Sequence, residues 1–126
     1  MIFRGIGTDI IEIGRIQKAL DRHGDRFLEH LFTPKEQAYC RRFSNPVPHL
    51  AGRFAGKEAI LKAIGTGLQR HIGWKEIEII NDANGKPEVY LSGSLQPRFP
   101  DASFFLSISH CKEYATATAI FIETPA

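Results

Sequence analysis

Residues 54–67, with the sequence FAGKEAILKAIGTG, constrain the fold most, because they are largely apolar or small and yet carry three charges. The apolar positions recur at the helical period, so a long helix is predicted with no clean solvated face. Glu58 and Lys62 fall one turn apart on the same side of it. Gly52 and Gly56 belong to a small-residue face and cost a helix about 1 kcal/mol each relative to alanine. We therefore predict a central helix that another element approaches very closely, and whose charges have functions.

The composition predicts one compact cytoplasmic domain spanning residues 1–126. A chain of 126 residues with 43% hydrophobic content can bury a sizeable core. The net charge of +2 is too small to indicate a nucleic-acid partner by itself. Cys40 and Cys111 lack the spacing of a metal site or a disulfide framework, which fits a reducing compartment. The start does not resemble a signal peptide, and no apolar run reaches about 18 residues, so no membrane segment is expected.

Ahead of the central helix, the sequence patterns predict a buried strand, a helix, an apolar connector and a second helix. These segments cover residues 1–11, about 13–23, 27–32 and 34 to about 43. Gly5 and Gly7 indicate a close backbone approach or a bulge in the strand. Gly24 marks the end of the first helix. Thr33 and Glu36 form a capping box at the start of the second.

After the central helix the chain is predicted to be β-structure. Four strands are expected, over residues 74–80, 87–91, 103–109 and 114–122. The Asn84-Gly85 pair is a strong hairpin signal between the first two. Pro97 and Pro100 limit any helix between the second and third to a short one. The order of one strand, three helices and four strands predicts an α+β domain, with a mostly antiparallel sheet packed against the long helix.

Asp9 and Glu58 are carboxylates in segments that should lie near the core. Two carboxylates brought together there would repel each other and resist ionisation unless a cation joined them. Oxygen ligands without histidine or cysteine favour Mg²⁺. In the alternative interpretation, Asp9 caps the first helix and Glu58 pairs with Lys62. The spacing alone supports the two interpretations equally, while Arg53 and Lys57 add positive charge nearby.

Basic residues recur every three or four positions along the first helix and beyond it, as Arg15, Lys18, Arg22 and Arg26. Such a ridge is either a solvated face or a docking surface for an acidic helix or a phosphate backbone.

Gly65, Thr66 and Gly67 end the central helix, first of all as a helix stop and secondly as an anion nest. A nest at the negative end of a helix dipole would need a basic residue or a metal beside it. His110 opens a turn, where both ligand contacts and plain exposure are common.

Three segments together resemble the holo-[acyl-carrier-protein] synthases, the small group of 4′-phosphopantetheinyl transferases. They are GIGTDIIEIGRI at residues 5–16, FAGKEAILKAIGTG at 54–67 and SISH at 107–110. The strand at residues 74–80 and the GKP turn at 85–87 are similar as well, so the likeness covers nearly the whole chain. The D…R pair and the KEAxxKAxGTG motif are specific, whereas SISH alone would be weak.

The resemblance implies the 4′-phosphopantetheinyl transferase fold and transfer of the 4′-phosphopantetheine arm of coenzyme A to a serine of apo acyl carrier protein. Adenosine 3′,5′-bisphosphate would be the other product, and the reaction would support fatty acid biosynthesis. By motif position, Asp9 and Glu58 would bind Mg²⁺, and Glu58 and Lys62 would be catalytic. Arg15 and Arg22 would bind the acidic recognition helix of the carrier protein. Coenzyme A would be contacted by Arg53, Gly65, Ser109 and His110.

The family resemblance further implies homotrimers with active sites at subunit boundaries. The chain departs from the family at residues 93–100, where prolines stand in place of a usual helix. A non-catalytic nucleic-acid binder is disfavoured, because basic and exposed aromatic residues do not alternate on any predicted strand and Glu58 would be unexplained. The carboxylates alone would also allow another Mg²⁺-dependent phosphoryl or nucleotidyl transferase.

Overall fold

The computed structural model describes residues 1–65 and 73–125, and within them the chain forms four helices and five strands. In chain order these are β1 (Ile2–Glu12), α1 (Ile13–His23), α2 (Asp25–Leu31), α3 (Pro34–Cys40), α4 (Val47–Ile64), β2 (Ile77–Asn81), β3 (Pro87–Leu91), β4 (Ala102–His110) and β5 (Tyr114–Glu123). Short 3₁₀ turns occur at Trp74–Glu76 and Gln96–Arg98. No helix among the described segments has the length and apolar character that a membrane crossing requires.

The strands form two antiparallel sheets that share α4 as their packing partner. One sheet has the order β1-β5-β4 and the other is the β2-β3 hairpin. Asp9 lies opposite Ala117 in the register of β1 on β5. Helix α4 packs against β1, β5, β4 and β2, and twelve of its residues are buried. The predicted α+β class, with a central helix on antiparallel sheet, is therefore confirmed.

Glycines in β1 bring the strand into direct contact with the backbone of α4. A β carbon at Gly7 would lie 2.0 Å from the carbonyl oxygen of Ala59, and one at Gly5 would lie 2.2 Å from that of Ala63. The register also shifts immediately before Gly5. The predicted close approach and the bulge thus both occur, and they fix the height of Asp9 along α4.

The small-residue face of α4 likewise allows close packing, in this case against side chains of β4 and β2. A β carbon at Gly52 would lie 2.8 Å from Cγ2 of Ile108, and one at Gly56 would lie 2.8 Å from Cδ1 of Ile79. Both glycines therefore have a packing reason, as the sequence predicted.

The segment predicted as an apolar connector, residues 27–32, is instead largely helical, since α2 covers Asp25–Leu31. Gly24, with a φ of 54°, reverses the chain after α1. Phe27, Leu28 and Leu31 then turn one side of the new helix to the core. Three apolar positions in one short segment are compatible with either structure, which is why the sequence predicted three helices before the sheet rather than four.

Several boundaries also differ from their predictions. Asp9 is not a helix cap, because β1 continues to Glu12, which occupies the N-cap of α1. The capping box of Thr33 and Glu36 is confirmed, but α3 ends at Cys40. The segment from Trp74 to Glu76 is a 3₁₀ turn rather than strand. The prediction that the first strand is buried is wrong for most of β1, because Ile6 and Ile10 lie exposed on the outer face of the sheet while Ile11 is buried.

Candidate active site

Asp9 and Lys62 meet where β1 crosses the last turn of α4. The Nζ atom of Lys62 lies 3.1 Å from Oδ1 of Asp9 and donates to the carbonyl oxygen of Thr8 at 2.9 Å. The side chain of Asp9 is 15% exposed and that of Lys62 is 46% exposed. Glu58 lies one turn earlier on the same face of α4 and is half-buried. The structure thus brings together all three residues that the sequence assigned to the chemistry.

The pKa of Glu58 is affected by burial and by the nearby carboxylate of Asp9. Burial raises the pKa of its carboxyl, the negative charge of Asp9 raises it further, and Lys62 partly offsets both effects. Lys62 forms its ion pair with Asp9. The alternative in which Lys62 pairs with Glu58 while Asp9 caps α1 is therefore not the observed arrangement.

The donor set at this site fits a hard divalent cation. Across residues 1–65 and 73–125, no group of three or more His, Cys, Asp or Glu residues is placed to hold a metal. A cation between Asp9 and Glu58 would accordingly have two protein carboxylates and would take its other oxygens from water or substrate. Mg²⁺ is commonly held in this way, by one or two carboxylates together with substrate phosphates.

A second cluster lies on the opposite side of α4, around a cavity of about 200 Å³. None of the described residues that line it is acidic. They are Tyr39, His49, Gly52, Arg53, Asn81, Gly85, Pro87, Ile108 and His110. The structure thus brings together Arg53 and His110, two of the residues that the family resemblance assigned to coenzyme A.

Arg53 is nearly fully buried in this cluster, at 3% exposure. Its Nη2 donates to Oδ1 of Asn81, and its guanidinium carbon lies 4.2 Å from the centroid of the Tyr39 ring. Its Nε is buried and has no partner among the described residues. Burying a charge is costly unless it is paired, so an arginine balanced by a ring face and an amide is well suited to receive an anion.

The sequence interpretation missed Tyr39, His49 and Asn81. One signal for His49 was present, since it precedes Arg53 by four residues and so shares its helix face. The contribution of Tyr39 depends on how α3 packs against α4, for which the sequence offered no comparable signal.

Arg53 and Lys62 point away from each other because nine residues separate them. At about 100° per residue they differ by about 180° around the axis of α4 and by about 13 Å along it. The cavity and the carboxylate pair therefore lie on opposite sides of the helix. One molecule that contacted both within a single chain would have to cross the helix.

The remaining predicted contacts are not gathered at the cavity. Ser109 is exposed, and strand alternation directs it away from Ile108 and His110 to the outer face of the sheet. Gly65 ends α4 with a φ of 129°, and its N–H donates to the carbonyl of Leu61, so its role as a helix stop is confirmed. Thr66 and Gly67 lie outside the described residues. Lys57, predicted to add charge nearby, is instead fully buried and paired with Glu36.

The basic ridge leads directly to Asp9. Arg15, Lys18 and Arg22 are exposed on α1 and border a shallow cavity of about 260 Å³. Arg15 also borders an adjoining cleft of about 270 Å³, which Asp9 lines together with apolar side chains such as Phe54. Arg26 belongs to α2, beyond the chain reversal. A partner docked on Arg15 would therefore lie beside the carboxylate pair.

Comparisons with known proteins give matches over nearly the whole chain. The model of the 4′-phosphopantetheinyl transferase superfamily matches residues 5–119. The chain is 53% identical over 117 residues to a holo-[acyl-carrier-protein] synthase of Protochlamydia amoebophila, covering 93% of this chain and 96% of that protein. It is 53% identical over 115 residues to the protein of that name from Chlamydia pneumoniae, covering 91% of this chain and 93% of the relative.

Two solved structures extend the likeness to the fold. A holo-(acyl-carrier-protein) synthase from Bacillus anthracis, in complex with CoA (3′,5′-ADP), superposes with a TM-score of 0.81 at 36% identity and covers 98% of this chain and 100% of its own. The Helicobacter pylori holo-[acyl-carrier-protein] synthase in complex with coenzyme A gives a TM-score of 0.83 at 32% identity, over 93% of this chain and 99% of that one.

Proposed function

Because this chain belongs to the holo-[acyl-carrier-protein] synthases of the 4′-phosphopantetheinyl transferase superfamily, we propose that it transfers 4′-phosphopantetheine from coenzyme A to a serine of apo acyl carrier protein in an Mg²⁺-dependent reaction. The products would be holo carrier protein and adenosine 3′,5′-bisphosphate, in the cytoplasm and in support of fatty acid biosynthesis. The observation that carries the proposal is the meeting of Asp9, Glu58 and Lys62 at the crossing of β1 and α4.

Asp9 and Glu58 would hold Mg²⁺ between them. When bound, the ion would neutralise charge on the pyrophosphate of coenzyme A at the phosphorus that is attacked. Burial raises the pKa of Glu58 most, and the negative charge of Asp9 raises it further. A cation would relieve the repulsion between the two carboxylates, which supports this assignment.

Lys62 would stabilise the attacked phosphate or the departing one. Its Nζ is paired with Asp9, yet almost half of the side chain is exposed, so the ammonium group has room to turn toward an incoming phosphate. Glu58 is the candidate base for the serine proton. A carboxylate whose pKa is raised accepts a proton more readily at neutral pH than an ordinary glutamate does.

Arg53 and His110 would bind the 3′-phosphate of coenzyme A. The pyrophosphate is assigned to the carboxylate side of α4, which leaves the 3′-phosphate for the cavity on the other side. The unpartnered Nε of Arg53 and a cavity lining without described acidic residues support the assignment.

We further propose a homotrimer whose active sites lie between subunits. The carboxylate pair and the Arg53 cavity lie on opposite sides of α4, so one coenzyme A could not easily reach both within a single chain. A second copy of the chain could place its Arg53 cavity beside the carboxylate pair of the first, which supports the proposal. An exposed apolar surface is available for such contacts on the outer face of the three-stranded sheet. It includes Ile6, Ile10 and Phe105, which are 58%, 64% and 52% exposed.

The basic ridge would receive the carrier protein. Arg15, Lys18 and Arg22 offer positive charge to an acidic helix, and the cleft shared by Arg15 and Asp9 would place the carrier serine beside the metal ligands. Attraction of this kind speeds association and weakens with salt.

The test is to mix the protein with coenzyme A, Mg²⁺ and an apo carrier protein, and to follow the carrier by intact mass spectrometry. We expect one phosphopantetheine per carrier, and no product when Mg²⁺ is chelated. Fatty-acid and polyketide-type carriers assayed in parallel define the preferred partner. A well-folded sample that modifies neither carrier at any Mg²⁺ concentration would disprove the proposal.

A further inference from the structure

His49 lies in the Arg53 cavity, and the proposed reaction gives it no role. It belongs to the first turns of α4, four residues before Arg53, and it lines the cavity together with Arg53 and His110. Three side chains that carry or can take a positive charge therefore face one small space.

The imidazole of His49 is held between two other rings. It stacks on Phe43, with the ring centroids 3.5 Å apart and the planes at 14°. It also contacts the ring of His110, which stands edge-on with the ring centroids 5.2 Å apart and the planes at 80°. The ring is thus fixed between the segment that follows α3 and the end of β4.

The groups around His49 make protonation unfavourable while the cavity holds no anion. The titratable and charged groups facing it are Arg53 on the same helix and His110 on β4. The other elements contribute Tyr39 from α3, Asn81 from β2 and the apolar ring of Phe43. Burial lowers the pKa of His49, and the charges of His110 and Arg53 lower it further.

Arg53 supplies an independent indication that a ligand enters this space. Its side chain is almost completely buried, yet its Nε has no partner among the described residues and its charge is not paired with a carboxylate there. Buried polar groups are nearly always satisfied in folded proteins. An anion that accepts from Arg53 would stand beside His49 as well.

We propose that His49 takes up a proton when the 3′-phosphate of coenzyme A enters this cavity, so that the enzyme binds its coenzyme more tightly as the pH falls. The inference rests on the proposed function, since it takes the ligand from it. His49 thereby makes coenzyme affinity depend on pH through a side chain that lines the proposed phosphate site.

Charge balance determines whether the affinity for coenzyme A increases or decreases with pH. A phosphate dianion places negative charge next to an imidazole that otherwise faces positive groups, so the complex binds more protons than the separated protein and coenzyme. By linkage, the association constant then increases as pH falls between the titration midpoints of the free and the bound states. One proton limits this contribution to about tenfold per pH unit.

The experiment measures proton uptake on binding by the full-length protein. Calorimetric titrations with coenzyme A from pH 5.5 to 8.0, in pairs of buffers that differ in ionisation enthalpy, give both the affinity and the number of protons taken up. The matched variants are His49→Gln, which removes the titrating group, and His49→Phe, which keeps a ring on Phe43. Dephospho-coenzyme A is the control ligand, because it lacks only the 3′-phosphate.

We expect the wild type to take up more protons with coenzyme A than either variant does, by up to one per site, and this excess should vanish with dephospho-coenzyme A. Protons that the phosphate itself releases beside Arg53 are common to all three proteins and cancel in the comparison. An excess that persists with dephospho-coenzyme A would overturn the assignment to the 3′-phosphate. Equal proton uptake by the three proteins would overturn the inference outright.

Failure of the two proposals can be told apart. If the wild type binds coenzyme A and modifies a carrier but shows no excess uptake, only the role of His49 falls. If it binds no coenzyme A at any pH, both the proposed function and the proposed role of His49 are disproved. If both variants misfold, NMR of the wild type decides. The titration midpoint of the His49 Cε1–H signal must then move to higher pH when the protein is saturated with adenosine 3′,5′-bisphosphate. An unmoved midpoint overturns the inference.

Discussion

The Nζ atom of Lys62 on α4 lies 3.1 Å from Oδ1 of Asp9 on β1. Its positive charge therefore lies where the carboxylates of Asp9 and Glu58 meet. The approach depends on Gly7, because any side chain there would collide with the backbone of α4. Lys62 partly neutralises the pair but leaves Glu58 with a raised pKa. A divalent cation between Asp9 and Glu58 would therefore stabilise the two carboxylates more than the single charge of Lys62 does.

Removing either carboxylate should abolish transfer without unfolding the protein. Asp9→Asn and Glu58→Gln each keep the size of the side chain and remove a charged ligand, so we expect transfer rates to fall by about 10²–10³-fold or more. Asp101→Asn, an exposed change outside the site, is the matched control. Carrier mass spectrometry and thermal melts are the measurements, and substantial activity in both variants would disprove the metal assignment.

Glu58→Gln should also change how stability depends on pH in the metal-free protein. A carboxyl whose pKa is raised above its usual 4.5 holds its proton more tightly when folded. The free energy of unfolding therefore falls as pH rises from the unfolded value through the folded one. In chelator at pH 7, Glu58→Gln should melt at a higher temperature than the wild type, with a flatter profile above pH 4.5.

Mg²⁺ then provides the complementary measurement. A ligand that binds only the folded state raises the melting temperature. Added Mg²⁺ should stabilise the wild type and leave Glu58→Gln and Asp9→Asn nearly unchanged. Equal stabilisation of all three proteins would place the ion elsewhere.

The long helix and the hairpins were predictable because apolar periodicity and turn residues indicate them directly. The spacing of Asp9 and Glu58 supported two interpretations equally, so their meeting followed only from the resemblance of their motifs to the family. Helix α2 was not predictable, since its three apolar positions are too few to define a period. The Arg53 cavity was predictable only in part, because Tyr39 and His49 join it through the packing of α3, α4 and β4. Lys57 was misjudged for the same reason, as its partner Glu36 lies 21 residues earlier in the chain.

Gly7→Ala should damage both stability and activity. The new β carbon would lie 2.0 Å from the carbonyl oxygen of Ala59, so β1 must shift away from α4. Overpacking of this kind costs about 1–3 kcal/mol, and the shift would move Asp9 away from Glu58. Gly14→Ala is the matched control, because nothing lies within 4 Å of its β carbon and alanine favours the helix. Denaturant titration and the transfer assay should separate the two variants, and a Gly7→Ala protein as stable and active as Gly14→Ala would contradict the close packing.

Arg15→Glu should weaken the carrier protein's binding and spare coenzyme A. Arg15 is exposed on α1 and borders the cleft that contains Asp9. Like charges across an interface cost several kcal/mol, so we expect the KM for the carrier to rise by about tenfold or more at low salt. The same charge change at the exposed Lys35 on α3, in Lys35→Glu, is the control. Unchanged carrier kinetics in Arg15→Glu, or an equal effect of Lys35→Glu, would remove the docking role of the ridge.

Lys57→Met should destabilise the fold more than Gly7→Ala does. The Nζ of Lys57 lies 2.7 Å from Oε1 of Glu36 with both side chains essentially fully buried, and it also donates to the carbonyls of Leu31 and Trp74. Burial lowers the pKa of Lys57, but the charge of Glu36 opposes that effect. Removing one partner of a buried pair leaves the other uncompensated and costs about 3–5 kcal/mol.

The fluorescence of Trp74, the only tryptophan, can report this loss during urea unfolding. In the double variant Lys57→Met/Glu36→Gln the buried charge is gone, so the loss should be smaller than the sum of the two single losses. Additive losses would mean that the two side chains stabilise α3 and α4 independently.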